Sequence, residues 1–142
     1  MTTETDFPVI YTEIDRMGIV HHSNYVLWFE KSRRDYLKKA GISKSKLAFQ
    51  GFFLPLSKIE CKFKRPAKYG DEIRVITKLA SISCVETVFE YEVLDKVKGK
   101  LLATGNTVHV WTNRKVKPVN IEKEAPDVYW QLKRFSESED TV

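Results

Sequence analysis

An acidic side chain just upstream of a predicted helix is the arrangement in this sequence best suited to chemistry. Glu13 and Asp15 follow the first strand-like residues, and Gly18 lies between them and a long amphipathic stretch. A carboxylate in such a place can act on a substrate as a general base or as a nucleophile. The N-terminus of the helix, with its unpaired N–H groups, can polarise the carbonyl of the same substrate.

The helix that supplies this electropositive end is predicted from about residue 25 onward, because apolar side chains recur there at helical spacing. Ser23 or Asn24 is suited to cap its N-terminus, and Gly41 is suited to end it. Glu30 is expected to form an ordinary helix ion pair with Arg33 or Arg34 rather than to act in catalysis. The apolar stripe consists of Tyr25, Trp28, Phe29, Ser32, Tyr36, Leu37 and Ala40.

Each candidate side chain also has a purely structural reading. Asp15 can close a turn through local backbone hydrogen bonds, and Glu13 can order the loop. His22 can donate to a substrate, orient a water molecule or lie on the polar surface. Gly18 either adopts a positive φ or lets the backbone approach a substrate closely. Tyr25 is favoured as a packing residue over a catalytic one.

Two adjacent histidines precede the helix without forming a convincing metal site. The side chains of His21 and His22 are expected to diverge by about 100° if both are helical. His109 lies far along the chain. No metal ligand set is therefore predicted.

The order of elements places the chain in the α+β class. A short first strand is predicted at residues 8–11, and a short helical turn around Leu47 begins at Ser43. Alternating apolar residues from Leu56 onward predict consecutive antiparallel strands near 56–64, 73–80, 85–94 and 101–112, with a hairpin at 95–100. A terminal helix is predicted at 125–135.

Length and composition indicate one folded domain at residues 1–135, followed by a disordered tail at 136–142. The chain has 142 residues, 42% hydrophobic content and a formal charge of +5. No apolar run approaches the roughly 18 residues that a membrane span needs, and the first residues lack the apolar core of a signal peptide. A cytoplasmic location is the default expectation, with Cys61 and Cys84 as buried hydrophobes.

Two segments resemble the hotdog-fold acyl-CoA thioesterases of the 4-hydroxybenzoyl-CoA and YbgC type. The first reads D-x-x-G-x-V-x-x-x-x-Y-x-x-x-F-E from Asp15 to Glu30, and the second is K-R-P-A-K-Y-G-D-E-I at residues 64–73. Many members carry a second Asp where this chain has Glu13. His22 matches the histidine of the YbgC branch.

The resemblance implies a curved antiparallel sheet around one long central helix, assembled as a homodimer or homotetramer with sites at the subunit interface. It implies hydrolysis of an acyl-CoA thioester, with coenzyme A as part of the substrate and no separate cofactor. Asp15 and His22 are then the expected catalytic residues. The expected substrate-binding residues are Gly18, Ser23, Tyr25, Lys64, Arg65 and Arg114, the last three facing the coenzyme's phosphates.

Other functions stay open at this point. The same fold can serve a non-catalytic acyl-thioester scaffold, a thioesterase for acyl-carrier protein, or a dehydratase. Nucleic-acid binding is suggested only by the positive charge. The basic residues interleave with acids along the strands and no recognition motif is present, so nucleic acid is not expected as a partner.

Overall fold

A computed structural model describes residues 1–139 as a single antiparallel sheet with flanking helices. The spatial strand order is β1-β3-β4-β5-β2, and all four neighbouring pairs are antiparallel. The first and second strands are therefore the two edges of the sheet. The strands are β1 (Thr2–Pro8), β2 (Leu56–Phe63), β3 (Glu72–Ile82), β4 (Glu86–Asp95) and β5 (Leu101–Val110).

The sheet curves around one long helix, which confirms the predicted α+β class and the arrangement implied by the resemblance. The helices are α1 (Ser23–Lys39), α2 (Lys44–Gln50), α3 (Ile121–Glu124) and α4 (Pro126–Glu137), with a 3₁₀ turn at Tyr11–Glu13. Among residues 1–139, none of these helices is both long enough and apolar enough to traverse a lipid bilayer.

The helix α1 approaches the sheet closely because β5 carries a glycine beneath it. The buried ring of Phe29 stacks on that of Tyr91, with centroids 4.3 Å apart and planes inclined by 13°. A Cβ atom on Gly105 would collide with the Phe29 ring and with the carbonyl oxygen of Glu60. A side chain at position 105 would therefore push the helix away from the sheet.

The C-terminus of α1 is closed as its sequence predicts. Gly41 adopts a φ of +82°, and its N–H donates to the Lys38 carbonyl at 3.0 Å. The Ile42 N–H donates to the Leu37 carbonyl at 2.8 Å, which completes a Schellman motif. Gln131 from α4 adds a side-chain donor to the carbonyl at position 40, at 2.9 Å. The two helices are thereby joined at this end.

The first strand is the clearest error of the sequence prediction. It occupies Thr2–Pro8 rather than residues 8–11, and a 3₁₀ turn follows where the strand was expected to end. Only Thr3 and Phe7 of this strand are buried, so its apolar alternation is too weak to read. Backbone pairing with β3 holds it in the sheet instead. The later strands and the turn helix α2 are confirmed.

The terminal helix is confirmed and runs past its predicted end. Val128 and Leu132 bury its apolar stripe, and the helix continues to Glu137. The amino group of Met1 donates to the carbonyls of Ser136 and Ser138, each at 2.9 Å. These residues of the predicted tail are thus in contact with the N-terminus, while residues 140–142 lie outside the described residues.

A chain of buried polar groups crosses the core between the sheet and α1. Tyr91 Oη lies 2.7 Å from Thr107 Oγ1, which lies 2.9 Å from His109 Nε2. His109 Nδ1 lies 3.1 Å from the Leu54 carbonyl oxygen, and Arg33 Nη1 approaches Tyr91 Oη at 3.5 Å. Burial lowers the pKa of His109 to about 4, and the positive charge of Arg33 adds to this effect. His109 is therefore neutral at neutral pH.

This histidine makes the stability of the fold depend on pH. Its ordinary pKa of about 6.5 applies to the unfolded chain, so the unfolded state binds the proton first as the pH falls. We expect the free energy of unfolding to decrease between about pH 6.5 and pH 4, by up to about 3 kcal/mol from this group. Denaturant titrations across that range measure the slope.

The variant His109→Gln should flatten the slope by up to one proton, and the exposed His21→Gln serves as the control. An NMR titration midpoint of His109 near its ordinary value would contradict the expectation.

Candidate active site

The loop that carries Asp15 is a short hairpin anchored to the segment after β2. Ile14 and Val20 form an antiparallel bridge, and Ile19 bridges to Lys68. Gly18 lies at the tip with a φ of +76°, which L-residues rarely adopt. Open space surrounds the position of a Cβ at residue 18, so the loop needs this glycine for its backbone conformation rather than for room.

The Asp15 carboxylate closes this loop through local hydrogen bonds. Oδ1 accepts from the Met17 N–H at 2.8 Å and from the Ile19 N–H at 3.1 Å. Both bonds end on the same oxygen, and the side chain is exposed. Asp15 therefore closes a turn, as its structural alternative predicts. Its other oxygen, Oδ2, accepts no hydrogen bond from residues 1–139. This carboxylate does not line the cavity at the start of α1.

Glu13 fastens the loop to the helix, as the loop-ordering reading predicts. Oε2 accepts from Trp28 Nε1 at 2.7 Å, and Oε1 accepts from the Ile10 N–H at 2.9 Å. Its carbonyl oxygen accepts from the His21 N–H at 2.9 Å and from Asn24 Nδ2 at 3.0 Å. With both carboxylate oxygens engaged, Glu13 determines how the loop meets α1.

The helix begins differently from the predicted cap. The N-cap residue is His22, and its side chain makes no capping bond. His21 Nδ1 instead accepts from the Ser23 N–H at 3.2 Å and lies 2.8 Å from Ser23 Oγ. The Ser23 N–H, expected to polarise a substrate, is thus already bound. The His22 N–H forms no hydrogen bond with another group in residues 1–139 and is the available donor at this end.

The rings of His21 and His22 face each other rather than diverging. Their centroids are 4.1 Å apart and their planes are inclined by 32°. The expected divergence is wrong because both residues precede the first helical turn. Across residues 1–139, no group of three or more His, Cys, Asp or Glu side chains is placed to hold a metal ion.

A cavity of about 260 Å³ lies between the start of α1 and the end of β2. Four predicted site residues meet there, namely His22, Tyr25, Lys64 and Arg65, joined by apolar Phe63. Ile19, Val20 and Pro66 complete its lining. The structure therefore brings the helix start together with Lys64 and Arg65, which lie about forty residues further along the chain.

Tyr25 forms the floor of this cavity as a packing residue. It is 3% exposed, and its ring lies 4.7 Å from that of Trp28 and 4.9 Å, edge-on, from that of Phe63. Burial raises the pKa of Tyr25 to about 12. The phenol consequently stays neutral and can offer a hydroxyl and an apolar ring, but not a base.

A depression of about 530 Å³ with three cations lies next to this cavity. Lys64 and Arg65 line both spaces, and Lys100 joins them in the second. The backbone N–H groups of Lys64 and Arg65 donate to the Leu102 carbonyl at 2.8 and 3.0 Å, which holds the end of β2 against the start of β5. None of the three cations forms an ion pair within residues 1–139. An anionic group is the natural occupant of this mouth.

Lys100 lies beside Lys64 and Arg65 although it was not a predicted site residue, and Arg114 lies at another cavity. Lys100 was read only as part of a hairpin, and its place beside Lys64 follows from the β2–β5 register. Arg114 lines a different cavity beside Phe53 and donates to the Ala48 carbonyl at 3.3 Å. Arg114 therefore does not share a cavity with Lys64 and Arg65 of the same chain.

The predicted helix ion pair is present, which explains the acid at position 30. Arg34 Nη2 lies 2.9 Å from Glu30 Oε1, one helical turn apart. Neither residue lines the cavity at the helix start. The predicted ion pair of Glu30 is thus confirmed, with Arg34 as the partner.

Comparisons with known proteins agree with this architecture. The model of the thioesterase-like superfamily matches residues 9–133. A Bacillus subtilis protein provisionally named acyl-CoA thioesterase YneP is 29% identical over 88% of this chain and 91% of its own length. The acyl-CoA thioesterase YbgC of Haemophilus influenzae is 26% identical over 89% of this chain and 95% of its own.

Solved structures of known proteins also superpose on this chain. A DHNA-CoA thioesterase from Staphylococcus aureus superposes with a TM-score of 0.88 at 28% identity, covering 99% of this chain and 97% of that one. The hotdog fold implied by the two sequence segments is therefore confirmed. The chain belongs to the thioesterase-like superfamily and is a thioester hydrolase of the hotdog fold.

Proposed function

We propose that this chain hydrolyses acyl-CoA thioesters in the cavity between the start of α1 and the end of β2. The observation that carries the proposal is the junction of an apolar cavity with a mouth of three unpaired cations. A thioester of coenzyme A has the matching form, with an uncharged acyl thioester at one end and phosphates at the other. The names of the YneP and YbgC relatives support the same substrate class.

The start of α1 is suited to stabilise charge on the thioester oxygen. The His22 N–H is available at the positive end of the helix, and a well-placed donor contributes about 3–4 kcal/mol to such a transition state. The His22 ring lines the same cavity and can donate to the carbonyl or orient a water molecule. Tyr25 and Phe63 enclose the acyl side.

Asp15 is the proposed catalytic carboxylate, because Oδ2 accepts no hydrogen bond from residues 1–139. It does not line the cavity of its own chain, so it is proposed to act on a thioester held by a second copy. As a general base, Oδ2 takes a proton from water while the water oxygen bonds to the carbonyl carbon. The C–S bond then breaks and the coenzyme thiolate takes up the proton. As a nucleophile, the carboxylate bonds to the carbonyl carbon and the C–S bond breaks, which releases the coenzyme thiolate and leaves an anhydride. Water then hydrolyses the anhydride, and its proton passes to the thiolate.

A homodimer is proposed to complete this site, because the edge of the sheet beside the cavity is open. Within residues 1–139, β2 pairs only with β5 and its other edge is unpaired. Leu56 and Phe63 on this strand are 45% and 54% exposed, and Leu27 of α1 is 58% exposed. Pairing of β2 with the same strand of a second copy would cover these side chains and bring the exposed Asp15 loop of one copy within range of the other.

Asparagine at position 15 separates catalysis from loop closure. In Asp15→Asn the amide oxygen can still accept from the Met17 and Ile19 N–H groups, but the negative charge is lost. We expect the rate of coenzyme A thiol release to fall by about 100-fold or more while the melting temperature stays unchanged. Asp15→Ala should lose the turn bonds as well and also lower the melting temperature. Full turnover by Asp15→Asn would leave Asp15 with a structural role only.

The basic mouth can be tested with a truncated substrate. Lys64→Gln and Arg65→Gln should each raise KM for an acyl-CoA several-fold with little change in kcat, because they remove binding common to ground and transition states. The acyl thioester of N-acetylcysteamine lacks the nucleotide phosphates, so its KM should not respond. Arg114→Gln is the matched control, since Arg114 lines another cavity. An equal effect on the KM of both substrates would show that Lys64 and Arg65 do not bind the phosphates.

The assembly can be tested by light scattering on the purified chain. We expect a homodimer, and Leu27→Glu should shift it towards monomer because a charge would be buried at the contact. Val97→Glu is the control, since Val97 is 79% exposed at the hairpin between β4 and β5. A wild-type monomer, or equal dissociation in both variants, would contradict assembly through the β2 edge.

A further inference from the structure

A second cavity lies on the opposite half of α1, between that helix and α2. Its volume is about 140 Å³. An apolar protein cavity of about 150 Å³ is large enough to bind benzene. The apolar part of its lining is formed by Leu37, Leu47, Ala48, Phe52, Phe53 and Leu54.

Arg33 brings an unpaired positive charge to this apolar wall. The side chain is half-buried, and its hydrogen bond from Nη1 to Tyr91 Oη, at 3.5 Å, is long. It forms no ion pair within residues 1–139. Burial raises the pKa of Tyr91, so its phenol is neutral and supplies no countercharge. A guanidinium has five N–H donors. That of Arg33 makes one hydrogen bond, to Tyr91, within residues 1–139, although the side chain is partly removed from water.

The other charges around the cavity do not neutralise Arg33. Glu30 is already paired with Arg34 at 2.9 Å. Lys44 lines this cavity and also an adjacent one of about 340 Å³, where Arg114 lies. Glu30 and Arg34 also line the cavity, so the lining carries the three cations Arg33, Arg34 and Lys44 and one carboxylate, which is paired with Arg34.

We propose that this cavity is a binding site for a small organic acid, with an aromatic or branched apolar body among the leucine and phenylalanine side chains and its carboxylate on Arg33. The planar guanidinium matches a carboxylate with two parallel hydrogen bonds. Arg33 follows His22 by eleven residues, about 16 Å along the helix. The site is thus separate from the proposed thioester cavity and does not depend on hydrolysis there.

Isothermal titration of the full chain with benzoate tests the proposal, with benzyl alcohol as the uncharged probe of similar shape. We expect one benzoate per chain, and binding at least about tenfold weaker for benzyl alcohol and for Arg33→Gln. Ala48→Leu, which fills the cavity, should weaken benzoate to a similar extent. Lys38→Gln is the control, because Lys38 is exposed on the same helix and does not line the cavity.

Each other outcome counts against the site. Absence of benzoate binding to the wild type, or wild-type affinity in both Arg33→Gln and Ala48→Leu, overturns the proposal. Loss of benzoate binding in Lys64→Gln instead would place the acid in the thioester cavity. If circular dichroism shows that Arg33→Gln is unfolded, Ala48→Leu decides alone. Because the readout is benzoate affinity, a chain inactive towards acyl-CoA leaves the test intact.

Discussion

The contact between Phe29 and the backbone of β5 is the constraint on which the rest of the molecule depends. The ring lies over Gly105 and against Tyr91, so α1 approaches the sheet more closely than a side chain at position 105 would allow. This distance places the start of α1 beside the end of β2. It also encloses the polar chain from Tyr91 through Thr107 to His109 in the core, where each group needs a partner because it is buried.

The two acidic side chains of the loop before α1 have different roles. The two carboxylate oxygens of Glu13 accept hydrogen bonds from the loop and from Trp28, so Glu13 joins the loop to the helix. One oxygen of Asp15 accepts hydrogen bonds from the loop tip, and the other accepts none within residues 1–139. A carboxylate held by two backbone donors has a defined orientation, which is what a base or nucleophile requires. The same geometry can serve structure and catalysis together.

The long helix serves two cavities whose chemistry differs. At its start, a free N–H group and a histidine border an apolar space that leads to exposed lysines and an arginine. Eleven residues later, a half-buried arginine borders an apolar space covered by α2. The first arrangement suits a long ligand with a charged, solvated end. The second suits a small ligand that carries its charge at its own edge.

Local patterns in the sequence determined the elements and much of the chemistry. The stripe from Tyr25 to Ala40, the alternation in β3 and β4, and Gly41 are governed by periodicity and by backbone conformation, which act over a few residues. The family likewise follows from short segments around Asp15 and Lys64. Strand β1 escaped detection because two buried side chains cannot establish a period, and its place depends on pairing with β3.

Only the tertiary structure decided which charges share a site. Lys100 joins Lys64 through the register of β2 and β5, whereas Arg114 lies at another cavity. The unpaired state of Arg33 is equally a long-range property, since the helix pattern assigns Glu30 to either neighbouring arginine and the fold selects Arg34. Sequence spacing constrains neighbours along one element, but distances between elements are set by packing across the sheet.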